Sequence, residues 1–341
     1  MRGEPIAVQR ESLPGVIDSL SAGFRQINQI PWVVALPIGL DLALWRLPRL
    51  SALPLVNQLL DSLQQMTARA AELGAASQPA VDGPSIEALR QSLAQSPLAN
   101  LSAFTTWNLA GAGLPSLVPG TDFVTGGTIE IGGFGLAVGL IVLLQLVGIA
   151  LGCLFLGLIG CQLRGERATL PTVITSTWRY TVRAIGYTLL FLGAVLAISL
   201  PISLVVGLAM VVAPGVGSLL YGLMTLGAVI AGIWALFYLY FVMDAIVIGE
   251  FAPLAAIRRS VNLVRTSFGA SFGLIALTLF ISLGMQVIWS ALTRQSWGLP
   301  LAIIGNAYVA SGLAAASMSF YRTRTRTGLP SPTSGTGRIA G

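Results

Sequence analysis

Six long apolar stretches constrain this chain more than any other feature: Ile30 to Leu47, Ile131 to Leu163, Ile185 to Ala213, Gly217 to Ile248, Phe268 to Leu292 and Leu299 to Tyr321. A helix needs about 20 apolar residues to cross a ~30 Å hydrocarbon core, and these runs match that length or exceed it. The second and fourth are longer than one crossing needs, which predicts tilt or extension beyond one face. Pro201 falls inside the third, where it frees the carbonyl of Ala197 and predicts a kink that neighbouring helices must accommodate. Charged residues make up 9% of the 341, against roughly 25% in a soluble chain, and 55% are hydrophobic. An all-α integral membrane protein with six transmembrane helices is the expected fold.

The same composition removes whole classes of chemistry. The chain has no histidine, so no imidazole acts as acid, base, metal ligand or axial ligand. All 19 basic residues are arginines, which excludes a Schiff-base lysine, a P-loop lysine and a Ser-Lys dyad. Cys153 and Cys161 lie about 12 Å apart along one helix, too far to bridge, and are expected to be reduced and buried. No Gly-x-Ser-x-Gly elbow, paired catalytic carboxylates or metal-ligand cluster is present, so the expectation is a non-enzyme with no cofactor and no metal. A net charge of +6 spread among apolar spans fits membrane orientation, and nucleic acid is not an expected partner.

Residues Met1 to Asn28 are polar and amphipathic, without the short apolar core of a signal peptide, so the first span is expected to be retained. With the amino terminus inside, fourteen arginines fall on the cytoplasmic side and four, Arg49, Arg69, Arg90 and Arg294, outside. Arg46, beside Trp45, snorkels at the outer end of span 1. That bias predicts a multi-pass protein of the cell (inner) membrane with both termini cytoplasmic.

An amphipathic stretch precedes each outward-going span: Leu13, Ile17, Leu20, Phe24 and Ile27; then Ile174, Trp178 and Ile185; then Leu254, Ile257, Val261, Val264 and Phe268. The expectation is three hairpins, each led by a basic helix in the headgroup plane, covering residues 1–29, about 170–184 and about 250–267. An offset of 82 residues aligns Pro171 with Pro253, Val182 with Val264 and Arg183 with Arg265, in keeping with a repeated unit. Arg179, Arg183, Arg258, Arg259 and Arg265 are the candidate contacts to anionic lipid headgroups.

The stretch Tyr240 to Phe268, YFVMDAIVIGEFAPLAAIRRSVNLVRTSF, contains Ala245-Ile246-Val247, then Glu250, then Ala256-Ile257-Arg258-Arg259-Ser260 and Leu263-Val264-Arg265 with Phe268. It resembles the segment that marks a group of uncharacterised bacterial membrane proteins related to the membrane domain of glycerophosphoryl diester phosphodiesterases. Phe24-Arg25, Pro31-Trp32, Leu36-Pro37 and Leu40-Asp41-Leu42 are similar to that group's first span. The resemblance implies a six-span fold and no settled activity. The hydrolase chemistry of the name-giving enzymes resides in a separate, histidine-using catalytic domain, which this histidine-free chain lacks.

Residues 48–130 are expected to form an extracytoplasmic cap. Pro54 opens a helix whose apolar face carries Val56, Leu59, Leu60, Leu63, Met66, Ala70 and Leu73. After a breaker-rich linker from Gly74 to Pro84, a second stripe runs through Ile86, Leu89 and Leu93 and resumes past Pro97 with Leu98, Leu101, Phe104 and Trp107. The result is a helical hairpin that packs on the spans or forms a lid or docking surface, with Gly111 to Gly127 as a flexible return loop.

Polar groups inside apolar spans are costly, which makes Asp41, Gln145, Asp244, Gln286 and Asn306 the intramembrane candidates. Asp41 is the deepest carboxylate; Arg46, five residues on, points off its face, so Asp41 needs another partner or a proton. Asp244 ends the fourth span and is expected to pair with an arginine of the in-plane helices. Glu130 opens the second span as a cap. The three amides are expected to bond between helices. Residues 322–341, rich in Arg, Thr, Gly, Pro and Ser, are expected to be a disordered cytoplasmic tail. The leading functional expectation is a scaffold or accessory subunit of a membrane complex, with lipids and a membrane protein partner bound through the cap or an apolar flank. The alternative is a lipid or small-molecule transport component working through an intramembrane carboxylate.

Overall fold

A computed structural model describes residues 15–72, 83–94, 100–106, 111, 113–117, 127–166, 169–293 and 297–326. The chain is predominantly α-helical. Five helices are long and apolar enough to cross a membrane: Phe134–Arg164, Leu170–Val212, Pro214–Val247, Phe268–Leu292 and Gly298–Thr325. A sixth is reached only when the bent pair Val16–Gln29 and Pro31–Arg46, which meet at 92°, is taken as one span.

The bend follows from local chemistry. Ile30 precedes Pro31, whose ring disfavours helical backbone at the residue before it, and Ile30 sits at φ −130°, ψ 56°. Helix α1 (Val16–Gln29) ends there, a 3-10 turn covers Pro31–Val34, and α2 (Ala35–Arg46) follows. At 12 residues, α2 is about 18 Å long, short of the hydrocarbon thickness. The first apolar stretch is thus a 3-10 turn followed by α2, and it reaches spanning length only together with α1.

Helix α1 docks along the last helix, α11 (Gly298–Arg326), in opposite direction: Gly23 meets Gly312 and Ala316, and the Tyr308 hydroxyl donates to the Asn28 side-chain carbonyl at 2.9 Å. A Cβ on Gly23 would lie 2.4 Å from the Ala316 nitrogen, so the approach needs glycine. The apolar stripe of α1 thus serves a helix contact, with Ile27 fully buried and Ile17 left exposed.

Beyond α2, β1 (Arg49–Ser51) pairs in parallel with β2 (Thr128–Glu130), placing Glu130 in a strand and not at a helix cap. Between them lie α3 (Leu53–Glu72), α4 (Gly83–Ala94) and a 3-10 turn, Leu101–Thr105. Arg90 of α4 pairs with Asp61 of α3 at 2.7 Å. The apolar face of α3 is covered only in part, since Leu60 is buried but Leu59 and Met66 are exposed. The 3-10 turn rests against Gly148, where an added Cβ would meet the Thr105 carbonyl oxygen at 2.1 Å. Part of the return segment is ordered by packing: Leu114 belongs to the main core, although residues 112 and 118–126 lie outside the described residues.

Helix α5 (Phe134–Arg164) ends at Gly165 in left-handed backbone (φ 76°), with the amides of Gly165 and Glu166 donating to the carbonyls of Gln162 and Cys161. Cys153 and Cys161 are both free and buried. Helix α6 then runs unbroken from Leu170 to Val212, 43 residues or roughly 65 Å, with Pro201 inside it. Residues 170–184 are therefore the first turns of a long helix, not a separate in-plane element. No proline or cap interrupts Val182 to Tyr187, whereas α9 (Pro253–Thr266) is separated from α10 (Phe268–Leu292) at Ser267 (φ −131°, ψ 45°). The supposed repeat is thus unequal at its second copy.

Helix α7 (Pro214–Leu239) leads through a turn into the short α8 (Val242–Val247), every residue of which is buried. The main core gathers here, where Phe241 stacks on Phe320 of α11 at 5.5 Å and Gly157 of α5 touches Tyr180 of α6. By contrast, the apolar window of α6 is 6% buried, so the distal α6–α7 hairpin stands clear of the other helices. Helix α11 continues to Arg326, which makes residues 322–326 helical and not tail; residues 327–341 lie outside the described residues.

Candidate functional site

The turn that joins α8 to α9 is encircled by cations. Arg164, at the end of α5, donates from Nη1 to the Val247 carbonyl at 2.7 Å, from Nη2 to the Tyr180 hydroxyl at 3.2 Å, and from Nε to Glu166 at 2.9 Å. Arg179 of α6 pairs with the Glu250 carboxylate, and Arg183, one helical turn on, donates to the Glu250 carbonyl at 2.5 Å. Tyr180 donates to the same carboxylate at 3.2 Å. Glu250 occupies left-handed backbone (φ 53°). Two of the five arginines expected at lipid headgroups, Arg179 and Arg183, are thus bonded to protein groups at a partly exposed site. Arg259 lies over the Phe251 ring at 5.1 Å, while Arg258 and Arg265 are exposed and have no side-chain partner among the described residues.

Asp244 sits one turn before Val247 and is buried. It does not pair with an arginine. Its Oδ2 accepts a hydrogen bond from the Ser317 hydroxyl of α11 at 2.5 Å, and no cation pairs with it among the described residues. A two-residue turn at Tyr240 and Phe241 separates α7 from α8, and Asp244 lies on the buried α8. There it borders a partly open cavity of about 540 Å³, lined by Leu156 of α5, Tyr187 and Phe191 of α6, Leu236 of α7, Tyr240 and Ser317.

Asp41 is fully buried, and its carboxylate is bound at the other end of the chain's return segment. The Ser116 hydroxyl donates to it, as does the Leu117 amide at 3.1 Å. These donors lie 75 and 76 residues away in sequence, and no sequence spacing signals them. Asp41 does not border the cavity. Gln145 is half-buried on α5 and Asn306 half-buried on α11, but Gln286 is exposed on α10 and has no bond to a neighbouring helix among the described residues. The structure therefore brings Asp244 together with Tyr187, Tyr240 and Ser317, and leaves Asp41, Gln145, Gln286 and Asn306 apart from that group. In the sequence Glu250 stands out only as the acidic step of the resembling segment and Arg164 only as one of fourteen inner arginines; their convergence depends on tertiary packing. Among the described residues no group of three acidic or cysteine side chains is placed to hold a metal ion.

Comparison with known proteins returns no match to a family model, to a curated protein or to a solved structure.

Proposed function

We propose that the chain is a six-span integral membrane protein of the inner membrane whose role is non-enzymatic, a scaffold or accessory subunit of a membrane complex. In this reading the bent pair α1 and α2 completes the sixth span, both termini are cytoplasmic, and α3 and α4 cap the outer face. The exposed arginines Arg258 and Arg265 meet anionic headgroups. Kinship with the phosphodiesterase-related membrane proteins rests on the sequence from Tyr240 to Phe268.

The observation that carries the scaffold reading is the α6–α7 hairpin. The apolar window of α6 is buried to only 6% within the chain and that of the span containing α7 to 22%, and Gly193, Gly207, Gly222 and Gly227 have no atom of the protein within 4 Å of an added Cβ. Small residues on a free apolar hairpin allow another membrane helix to approach closely. A photo-crosslinking residue at Val205, 62% exposed, tests this in intact membranes. The expected result is one discrete protein adduct, lost on Gly227→Phe; lipid adducts alone overturn the reading.

The second reading, a lipid or small-molecule transport component, is favoured by the cavity, with Asp244 in the place first expected of Asp41.

A further inference from the structure

We propose that the cavity bordered by Asp244 binds an amphiphile whose head is a protonated amine, with the ammonium on the Asp244 carboxylate and the tail along the apolar walls. This goes beyond the scaffold reading, since the cavity binds its ligand whether or not the α6–α7 hairpin finds a partner.

The cavity measures about 540 Å³, within the ~300–1,000 Å³ typical of sites that enclose a small organic ligand. Most of its wall is apolar: Leu156, Phe191, Leu236 and Met243 contribute carbon surface. Its ionisable acid is Asp244, which receives one hydrogen bond, from Ser317 to Oδ2. A carboxylate has room for about four donors, and a buried one is costly unless a cation or several donors meet it. Oδ1 has no partner among the described residues, so one face of the group is left for a ligand.

The chemistry of the lining selects among cations. A metal ion would need several ligating groups, and among the described residues no such cluster exists. Arginine is missing from the lining, so an anionic head finds no counter-charge there. An ammonium satisfies the carboxylate with up to three donors, and Tyr187, Phe191 and Tyr240 line the same cavity with aromatic rings, a kind of group that attracts a cation. The apolar walls then require a hydrocarbon tail. A long-chain amine and the headgroup of an aminophospholipid share this chemistry.

The test uses the full-length protein in mild detergent and a twelve-carbon primary amine carrying a terminal diazirine, with the alcohol of equal length as control. Saturable labelling by the amine, mapped to the helices around the cavity and at least tenfold stronger than labelling by the alcohol, is expected. Asp244→Asn should lower it at least tenfold. Gly232→Leu is the second variant: Gly232 borders the cavity and nothing lies within 4 Å of an added Cβ, so leucine fills the space without straining the backbone. It should block labelling while leaving thermal stability unchanged, and it carries the test even if Asp244→Asn does not fold. Competition by dodecylamine assigns a free amine, and competition by phosphatidylethanolamine assigns a lipid headgroup. Equal labelling by amine and alcohol, or labelling that survives Gly232→Leu, overturns the proposal.

Discussion

Arg179 of α6 and Glu250 of the α8–α9 turn form an ion pair in which the acid's own backbone lies in the left-handed region, at φ 53°. An L-residue there costs about 1–2 kcal/mol that glycine avoids. Both side chains are close to half exposed, so the pair by itself contributes at most about 1 kcal/mol. Glu250→Ala removes the pair and keeps the strain; Glu250→Gly removes both. The expectation is that Glu250→Gly is the more stable of the two by about 1 kcal/mol. Thermal unfolding of the two variants in detergent decides it, and equal midpoints would mean that the turn does not impose this conformation.

The contact of α1 with α11 rests on a single missing side chain. Gly23→Leu places a Cβ within 2.4 Å of the Ala316 nitrogen and 2.6 Å of the Gly312 carbonyl oxygen, both backbone atoms that cannot step aside. Overpacking of this kind costs about 1–3 kcal/mol, and here α1 should separate from α11. Limited proteolysis between α1 and α2 reports the separation. Gly39→Leu on α2, where nothing lies within 4 Å of an added Cβ, is the control and should digest like the parent protein.

Apolar length and amphipathic period made the helices legible, and they placed α3 within about one residue of Leu53–Glu72 and α9 within about three of Pro253–Thr266. Other features depend on where helices break, and periodicity is silent on that. Ile30 breaks because Pro31 follows it, and the boundary read between residues 29 and 30 falls at that break. Leu170 to Val212 stays whole because nothing between the amphipathic part and the apolar part interrupts the hydrogen-bond ladder. Asp244 lies near the end of the Pro214–Val247 span, where the sequence puts it, but its burial there depends on tertiary packing around α8. Its partner Ser317 is 73 residues away on α11, and no local pattern connects them.

Sidedness follows from charge. Fourteen arginines on the proposed inner side against four outside predict that a cysteine at Gln65 on α3 reacts with a membrane-impermeant maleimide in intact cells. A cysteine at Arg258, exposed on α9, should react only after the membrane is opened. Cys153 and Cys161 are buried and are replaced by alanine for this experiment. The opposite pattern of labelling would invert the proposed topology.

Asp41 divides a structural role from a coupling role. Its carboxylate takes donors from Ser116 and from the Leu117 amide, so it pins the return segment to α2. Asp41→Asn keeps one side-chain acceptor and the shape of the group, and should cost about 1 kcal/mol or less. Asp41→Leu takes the acceptor from both half-buried donors, at up to about 3 kcal/mol for each donor so stranded. A pinning role therefore predicts a graded loss of thermal stability, small for Asn and large for Leu, with growth of cells that need the protein supported by Asp41→Asn. It also predicts that amine labelling of the Asp244 cavity is unchanged in Asp41→Asn, because Asp41 does not border that cavity. A stable Asp41→Asn protein that no longer supports growth would assign the coupling carboxylate to α2 and remove the basis for a purely structural Asp41.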